Sequence, residues 1–462
     1  MAYSLHDLWV EGIPLTGIRF CVIENQMGEH GVLKLQGYFE EEEALYELPE
    51  NSPVQVWAGR EGEKELLFSG VLTELTVSAA AGVRQAVAEA KSWSWLLDQT
   101  KKSRSFQNPG LGYKELVARV LEDYPGSSCF YAAPEAEAGR LMVQYEETDW
   151  EFLQRVLSGT GAVLTPDCCQ EGIRLYAGIP KLLEEKVFYR VLKMEKDMGS
   201  CYAKKANGCP AHGSDFTRYW ISSGKRLGIF GQVLAGGGAF TVFYCRYEFD
   251  REEMTGIYGI QPAGGLLVLK KWPMHLIGVA LSGTVAGVSG DQVQVMLDID
   301  REKGGTADWW MPYSTLSASP DGSGWYCMPE IGDRVRVYFP SKKEEEAVAL
   351  SAVSGYKGAE RMNNPNARYL KTRSGQELSL VPGHLKLSCG GASSLSIGED
   401  GSISVSAASQ VQVCAKGDVT IQAGEELVLQ AGKSLKMSGT DGGTVLLEPQ
   451  IIRLQGSQVT LD

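Results

Sequence analysis

The chain has 462 residues, 44% of them hydrophobic, and its 57 acidic against 44 basic side chains leave a net charge of −13. That balance excludes a phosphate-backbone binder, which needs a basic surface, so no nucleic-acid partner is expected. The length suits about two to four domains, and no apolar run reaches the ~18–20 residues that cross a bilayer.

Residues 1–90 read as a small β-barrel. Leu15–Ile23, Gly31–Tyr38, Val54–Ala58, Glu65–Val77 and Arg84–Ala90 are strand-like runs between Gly, Pro and Glu segments. The start, Met1–Val10, has no Lys or Arg and no apolar run, so no secretory signal is expected. The ten cysteines are scattered and are expected as reduced thiols. Lys101-Lys102-Ser103-Arg104, the one basic knot, is expected to be an exposed loop.

Residues 91–186 change period and form a small α/β insertion. Tyr113–Glu122 places Leu116, Val117, Val120 and Leu121 on one helical face. A second helix is expected after Thr148 or Asp149, either of which can cap it, with Phe152, Leu153, Val156 and Leu157 facing inward. Residues 187–275 turn β-like again, with strands expected at Phe188–Met194, Lys225–Ile229, Ala239–Phe249 and Leu266–Leu269, as a second barrel resembling the first. Gly236-Gly237-Gly238 is a turn signal and not a phosphate loop, since no Gly-Lys-Ser/Thr follows it.

Residues 276–355 hold five strand-like runs in under eighty residues, which suits an OB-type Greek-key barrel. Its aromatics Trp309, Trp310, Trp325 and Tyr326 lie among Asp298, Asp300, Asp308 and Asp321, a setting that favours packing over nucleic-acid binding. Lys342-Lys343-Glu344-Glu345-Glu346 reads as a solvated loop tip. Residues 356–373 form a linker.

The most regular stretch is residues 374–462. Leu395/Ile397, Ile403/Val405, Val411/Val413, Val419/Ile421, Leu427/Leu429 and Leu435/Met437 each read apolar–x–apolar, and the pairs recur every eight residues. A fixed period signals a repeat architecture, and alternation within each pair signals a strand. No proline falls between Pro382 and Pro449, which suits continuous pairing. Eight residues extend only roughly 26 Å, so one octad cannot enclose a core. Either successive octads of one chain coil, or three chains each supply one side of a prism. The second is preferred, because a lone chain would leave long unpaired edges.

Catalytic chemistry is sparse. The sequence has no His-Glu-x-x-His and no Gly-x-Ser-x-Gly, and its five histidines are dispersed. Cys201, Cys209 and His212 lack paired Cys-x-x-Cys spacing, so no metal site is expected. Glu146, Glu147 and Asp149 sit at a helix start, where dipole and capping interactions are a simpler reading than a glycosidase pair. No catalytic residue and no cofactor are expected.

The segment Gln144–Leu157 resembles the Q-Y-x-E-[ST]-D-[FWY]-x-F-L pattern of VgrG-type spike proteins. These serve type VI secretion and related contractile injection systems, and correspond to a fused hub and spike of phage tails. Ser105-Phe106-Gln107-Asn108, Ser319-Pro320-Asp321-Gly322-Ser323-Gly324-Trp325-Tyr326 and Pro329-Glu330-Ile331-Gly332-Asp333-Arg334-Val335 are similar to the same family. The resemblance implies a mainly β chain with two hub β-barrels, an α/β insertion, an OB-fold neck and a trimeric triple-stranded β-helix needle. It implies a homotrimer docked on a hexameric inner tube among baseplate proteins, touching a target envelope only transiently. Assembly in the bacterial cytoplasm and expulsion on contraction follow from it. The needle core would be the twelve residues of the apolar pairs. The sequence departs from some relatives in having no effector domain after the spike and no histidine in Val459-Thr460-Leu461-Asp462. Thr460, Leu461 and Asp462 are therefore expected to contact a PAAR-type tip protein or effector. The 356–373 linker is too short for an inserted muramidase, though a spike with its own cell-wall glycan binding or cleavage is the alternative.

Overall fold

The computed structural model describes residues 3–460 apart from 41–42, 61–62, 81–82, 236–237, 250–253, 302–303, 351–363, 441 and 459. They fall in two compact units, Met1–Gly355 and Tyr356–Asp462. Residues 356–363 of the expected linker lie outside the described residues, and its end, Arg368–Lys371, is already a strand.

The first unit is dominated by a twelve-stranded sheet. Strand Val32–Tyr38 illustrates how sequence alternation builds it: Leu33 and Leu35 are buried on one face while Lys34 is exposed on the other. Close approaches between strands require glycine at two corners. Gly12 has φ +93°, and a Cβ there would lie 1.8 Å from the Pro53 carbonyl oxygen; at Gly37 a Cβ would lie 2.5 Å from the Gly17 carbonyl oxygen.

The two expected barrels are not separate in this chain. Strand Gly17–Gln26 of the first half pairs antiparallel with Gly238–Phe249 of the second, from Cys21 opposite Phe249 to Gln26 opposite Tyr244. One core serves both halves and contains Ile23, Leu33, Val56 and Phe68 beside Val242, Tyr247, Tyr258 and Ile260.

Two expected strands are absent. Lys225–Ile229 and Leu266–Leu269 run as irregular chain, while Thr217–Ser223 and Thr255–Gln261 supply sheet strands instead. The reason at 225–227 is that tyrosine hydroxyls replace the ladder. Tyr247 donates to the Leu227 carbonyl at 2.6 Å and Tyr258 to the Lys225 carbonyl at 2.9 Å. A buried backbone group needs a partner but not a strand partner.

The insertion packs helices Tyr113–Leu121 and Asp149–Ser158 together over the small sheet of Ser128–Tyr131, Leu164–Pro166 and Arg174–Ala177. The five-stranded unit beyond it has the order Trp310–Pro312, Gln292–Leu297, Ala280–Ser289, Arg334–Tyr338, Val348–Leu350. A bridge between Tyr313 and Ala349, with the Ser314 N–H donating to the Ala349 carbonyl, brings its two ends together as a small barrel requires. Trp309 packs against its core, but Trp310, Trp325 and Tyr326 are exposed, against the expectation that all the aromatics pack.

One strand, Met142–Thr148, belongs to two cores. Leu141, Val143 and Tyr145 point into the five-stranded barrel's core, and Met142 points into the insertion's. Period two makes this possible, since successive side chains leave opposite faces.

The second unit holds two antiparallel sheets. The first comprises Arg368–Lys371, Gln376–Val381, His384–Cys389, Ser393–Gly398 and Ile403–Ala407; the second comprises Leu435–Ser438, Thr444–Glu448 and Ile451–Gln455. In the first, Leu370, Leu378, Leu387, Leu395 and Val405 stand in direct register across all five strands. The pairing within both sheets is antiparallel.

The shared hub core gives a direct test. Phe68→Ala should cost about 3–5 kcal/mol and destabilise both halves of the sheet together. Denaturant unfolding followed by amide exchange reports each half, and loss of protection in the first half alone would contradict a common core.

Candidate functional site

The motif Gln144–Leu157 builds a polar cluster at the centre of the insertion. Helix Asp149–Ser158 is capped by Thr148, whose Oγ1 accepts from the Glu151 N–H at 3.1 Å while Glu151 Oε2 accepts from the Thr148 N–H at 3.0 Å. This reciprocal capping frees Asp149 and Glu147 for other work. Phe152, Leu153, Val156 and Leu157 are fully buried, as expected, but so are the polar Asp149 and Arg155.

Asp149 receives four donors: Arg104 and Lys102 at 2.6 Å each, Tyr124 at 2.8 Å and Gln144 at 2.9 Å. Lys102 and Arg104 lie on strand Lys101–Phe106, not in an exposed loop, and the sequence-based expectation fails there because burial with a partner carboxylate is possible. Around Lys102, burial opposes the charge, but Asp123 and Asp149 outweigh it and hold the ammonium above its ordinary pKa. Burial, followed by the bond to Asp149, pushes the Tyr124 phenol up to about 12.

Arg155 is the second centre. It grips Glu147 with two 2.7 Å bonds, donates to the Val143 carbonyl at 2.8 Å and reaches Glu344 at 3.0 Å. Burial works against its charge, yet the charges of Glu344 and Glu147 leave its pKa raised. Glu344, expected at a solvated tip, is buried, and its Oε1 also accepts the Val143 N–H at 2.9 Å. Glu146, Glu147 and Asp149 thus part company: Glu146 is exposed at φ +50°, Glu147 holds Arg155 and Asp149 holds Arg104. They do not make a facing pair of catalytic carboxylates.

The structure does bring one histidine to a carboxylate and a hydroxyl. His30 Nδ1 lies 2.8 Å from Ser94 Oγ, and Nε2 lies 3.5 Å from Asp98, with the Trp150 ring centroid 4.3 Å away. The residue types are those of a nucleophile, base and orienting acid. Ser94 is only 1% exposed and shares its hydroxyl with Ser92, and Asp98 accepts from Thr148. A substrate carbonyl has no approach to that oxygen, so the trio works as a strap between the hub sheet and the helix cap. Sequence spacing gave no hint of it, because its members come from separate segments. Among the described residues, no group of three His, Cys, Asp or Glu side chains could hold a metal ion.

The repeats present the other candidate surface. Leu395/Ile397, Ile403/Val405 and Leu435/Met437 lie on strands, whereas Val411/Val413, Val419/Ile421 and Leu427/Leu429 lie on none. The last six side chains are 53–75% exposed in the single chain. The twelve were expected as a core, and within one chain they do not make one. Pairing on a strand does not change this. Leu395 and Leu435 are half-buried, but Ile397 is 42% exposed and Met437 50%, and Ile403 and Val405 are exposed as well. The reason is geometric. Ile397 sits opposite Leu385 and Ile403, and Met437 opposite Val445, so each has in-plane neighbours within its own sheet. Burial needs a second layer packed over that sheet. At the end of the repeats, Thr460 is exposed, and Leu461 and Asp462 lie outside the described residues.

The Asp149 cluster carries a pH signature. Lys102 and Tyr124 both have raised pKa values, so the contribution of each is complete below about pH 10 and lost as pH rises above that, for Tyr124 through about 12. Unfolding by urea across that range should show falling stability, and Tyr124→Phe should flatten the fall; an unchanged slope would remove Tyr124 from the account. Asp149→Ala should cost about 3–5 kcal/mol, because it takes the buried carboxylate from Arg104 and Lys102 and leaves both cations only the exposed Asp123 as a counter-charge.

The phage tail baseplate hub family (GPD) matches residues 50–171, and the type VI secretion system/phage-baseplate injector OB domain matches residues 281–353. No curated protein matches the chain. In structure it is similar to the E. coli c3393 protein, a component of the type VI secretion system with structural similarity to the T4 bacteriophage tail proteins gp27 and gp5. That likeness has 14% identity and a TM-score of 0.52, and covers 74% of this chain and 99% of the other. It is also similar to a chain of the lidded Francisella PdpA–VgrG complex, at 8% identity and a TM-score of 0.51, covering 84% of this chain and 76% of that one. The chain thus carries a phage-tail baseplate hub (GPD) module followed by a type VI secretion/phage-baseplate injector OB module, on a mainly β fold similar to these neighbours.

Proposed function

We propose that three copies of this chain form the central spike of a contractile injection machine, with residues 374–462 wound into a three-sided β-prism needle. The observation that carries the reading is the uncovered apolar register of the repeats. Val411, Val413, Val419, Ile421, Leu427 and Leu429 recur at fixed spacing, yet each is more than half exposed in one chain, and Ile397 and Met437 on the flanking strands are uncovered too. Water-exposed apolar rows of this regularity are stable only when another surface covers them. Two further copies supply identical rows, and stacked short strands from three chains satisfy each other's backbone groups.

In this reading the hub ring docks on a hexameric inner tube among the baseplate proteins. The needle end, at Thr460, Leu461 and Asp462, receives a PAAR-type tip protein or an effector. Support for a carried partner comes from the Francisella VgrG solved together with PdpA. The spike assembles in the bacterial cytoplasm, leaves on contraction and meets the target envelope only in passing. Its action is mechanical and not catalytic.

Val419→Asp would place three unpaired charges near the axis, a severe cost in a dry interior. Light scattering after size exclusion should give three times the chain mass for the parent protein and a smaller species for the variant. A monomeric parent, or an unchanged trimer in the variant, would contradict the needle core. Incubation with peptidoglycan should release no muropeptides; released fragments would favour a glycan-cleaving spike.

A further inference from the structure

The seam between the insertion and the five-stranded barrel is built from both sides. From the insertion, strand Met142–Thr148 sends Val143 and Tyr145, with Leu141 just before it, into the barrel's core. From the barrel, three polar groups reach back. Asp300 accepts from the Ser105 N–H at 2.6 Å and from Ser105 Oγ at 2.5 Å. The Val295 carbonyl accepts from Gln107 Nε2 at 3.1 Å. Glu344 accepts from the Val143 N–H at 2.9 Å and from Arg155 at 3.0 Å.

Glu344 differs from the other two contacts in meeting buried cations, whereas Asp300, also a buried carboxylate, takes the amide and hydroxyl of Ser105. Glu344 is a carboxylate at 1% exposure, carried on a short turn in an acidic run whose neighbour Glu346 is exposed and paired with Lys343. A charge is buried only where fixed partners replace its water. Those partners belong to the other side of the seam. Arg155 is itself buried and shared with Glu147, and Arg140 lies 4.0 Å from the second Glu344 oxygen. Two cations thus face two anions, one anion coming from the barrel, and the charges balance only when the two sides are docked. The same carboxylate oxygen also takes an N–H of the strand that both cores share, so the charge lock and the shared strand act at one point.

We propose that Glu344 is a positioning residue that locks the OB barrel to the hub insertion, making the two a single rigid body in which neither side keeps its native order without the other. The lock lies within one chain and stands whether or not three copies assemble. In a spike driven from its hub, which is the function proposed above, thrust enters the neck through this seam.

The test is amide exchange on the full chain. Glu344→Ala should speed exchange at least tenfold on both sides, in Val293–Leu297 of the barrel and in Phe152–Leu157 of the helix. Glu344→Gln keeps the acceptor but not the charge, and should give a smaller rise at the same two places. Glu346→Ala, on the same turn, should change neither. Should Glu344→Ala fail to fold, Glu344→Gln and Arg155→Lys suffice: combined, they should do less damage than the sum of their separate effects, as for a pair sharing one interaction. Faster exchange confined to residues 341–347, or strictly additive effects of the two variants, would overturn the lock. Because these readouts are internal to the chain, they fail independently of the trimer mass.

Discussion

The repeats of the C-terminal unit cannot bury their own apolar side chains. A sheet stays dry on one face only if something packs about 10 Å above it. In the five-stranded sheet, Leu370, Leu378, Leu387, Leu395 and Val405 line up on one face, and within the single chain each stays half-buried or exposed. From Val411 to Leu429 the chain does not even form strands by itself. The hub answers the same problem internally, by folding twelve strands around one core. This contrast divides the molecule into a part whose apolar side chains are buried within the single chain and a part whose apolar rows stay exposed in it.

A strand with one face in each of two cores joins insertion to barrel, and buried charge pairs fix its orientation. Arg155 and Arg104 are each almost wholly removed from water, and each is matched by carboxylates at hydrogen-bonding distance. Ion pairs of this kind add little net stability over an apolar core, but they penalise any misdocked arrangement that leaves one charge alone. In the spike proposed above, that geometric exclusion matters more than the net energy.

Much of this was legible in the residues. The helix after Thr148 follows from its cap, its Glu151 and its apolar spacing, and the octads follow from period alone. The hub and OB modules were legible as motifs. What periodicity could not reveal was pairing between distant segments. The sheet joining both hub halves depends on Cys21 to Gln26 meeting Tyr244 to Phe249, more than two hundred residues apart. Nor does period say what covers an apolar side chain, which is why Ile397 and Met437 read as core in sequence and stand exposed in the single chain. Charge runs misled for a related reason. Lys102, Arg104 and Glu344 look solvated in sequence, because nothing local shows the opposite charge that awaits each of them across the fold. Tyr247 and Tyr258 concealed the irregular chain at Lys225–Leu227 by giving its carbonyls partners outside any ladder.

The account therefore turns on whether the repeats gain their strand partners from other copies. Amide exchange across Val411–Leu429 in the intact parent protein measures this directly. Strands paired between chains should protect those amides as strongly as the hub strands. Exchange at the rate of unstructured chain would contradict the needle and leave the repeats an unpaired tail.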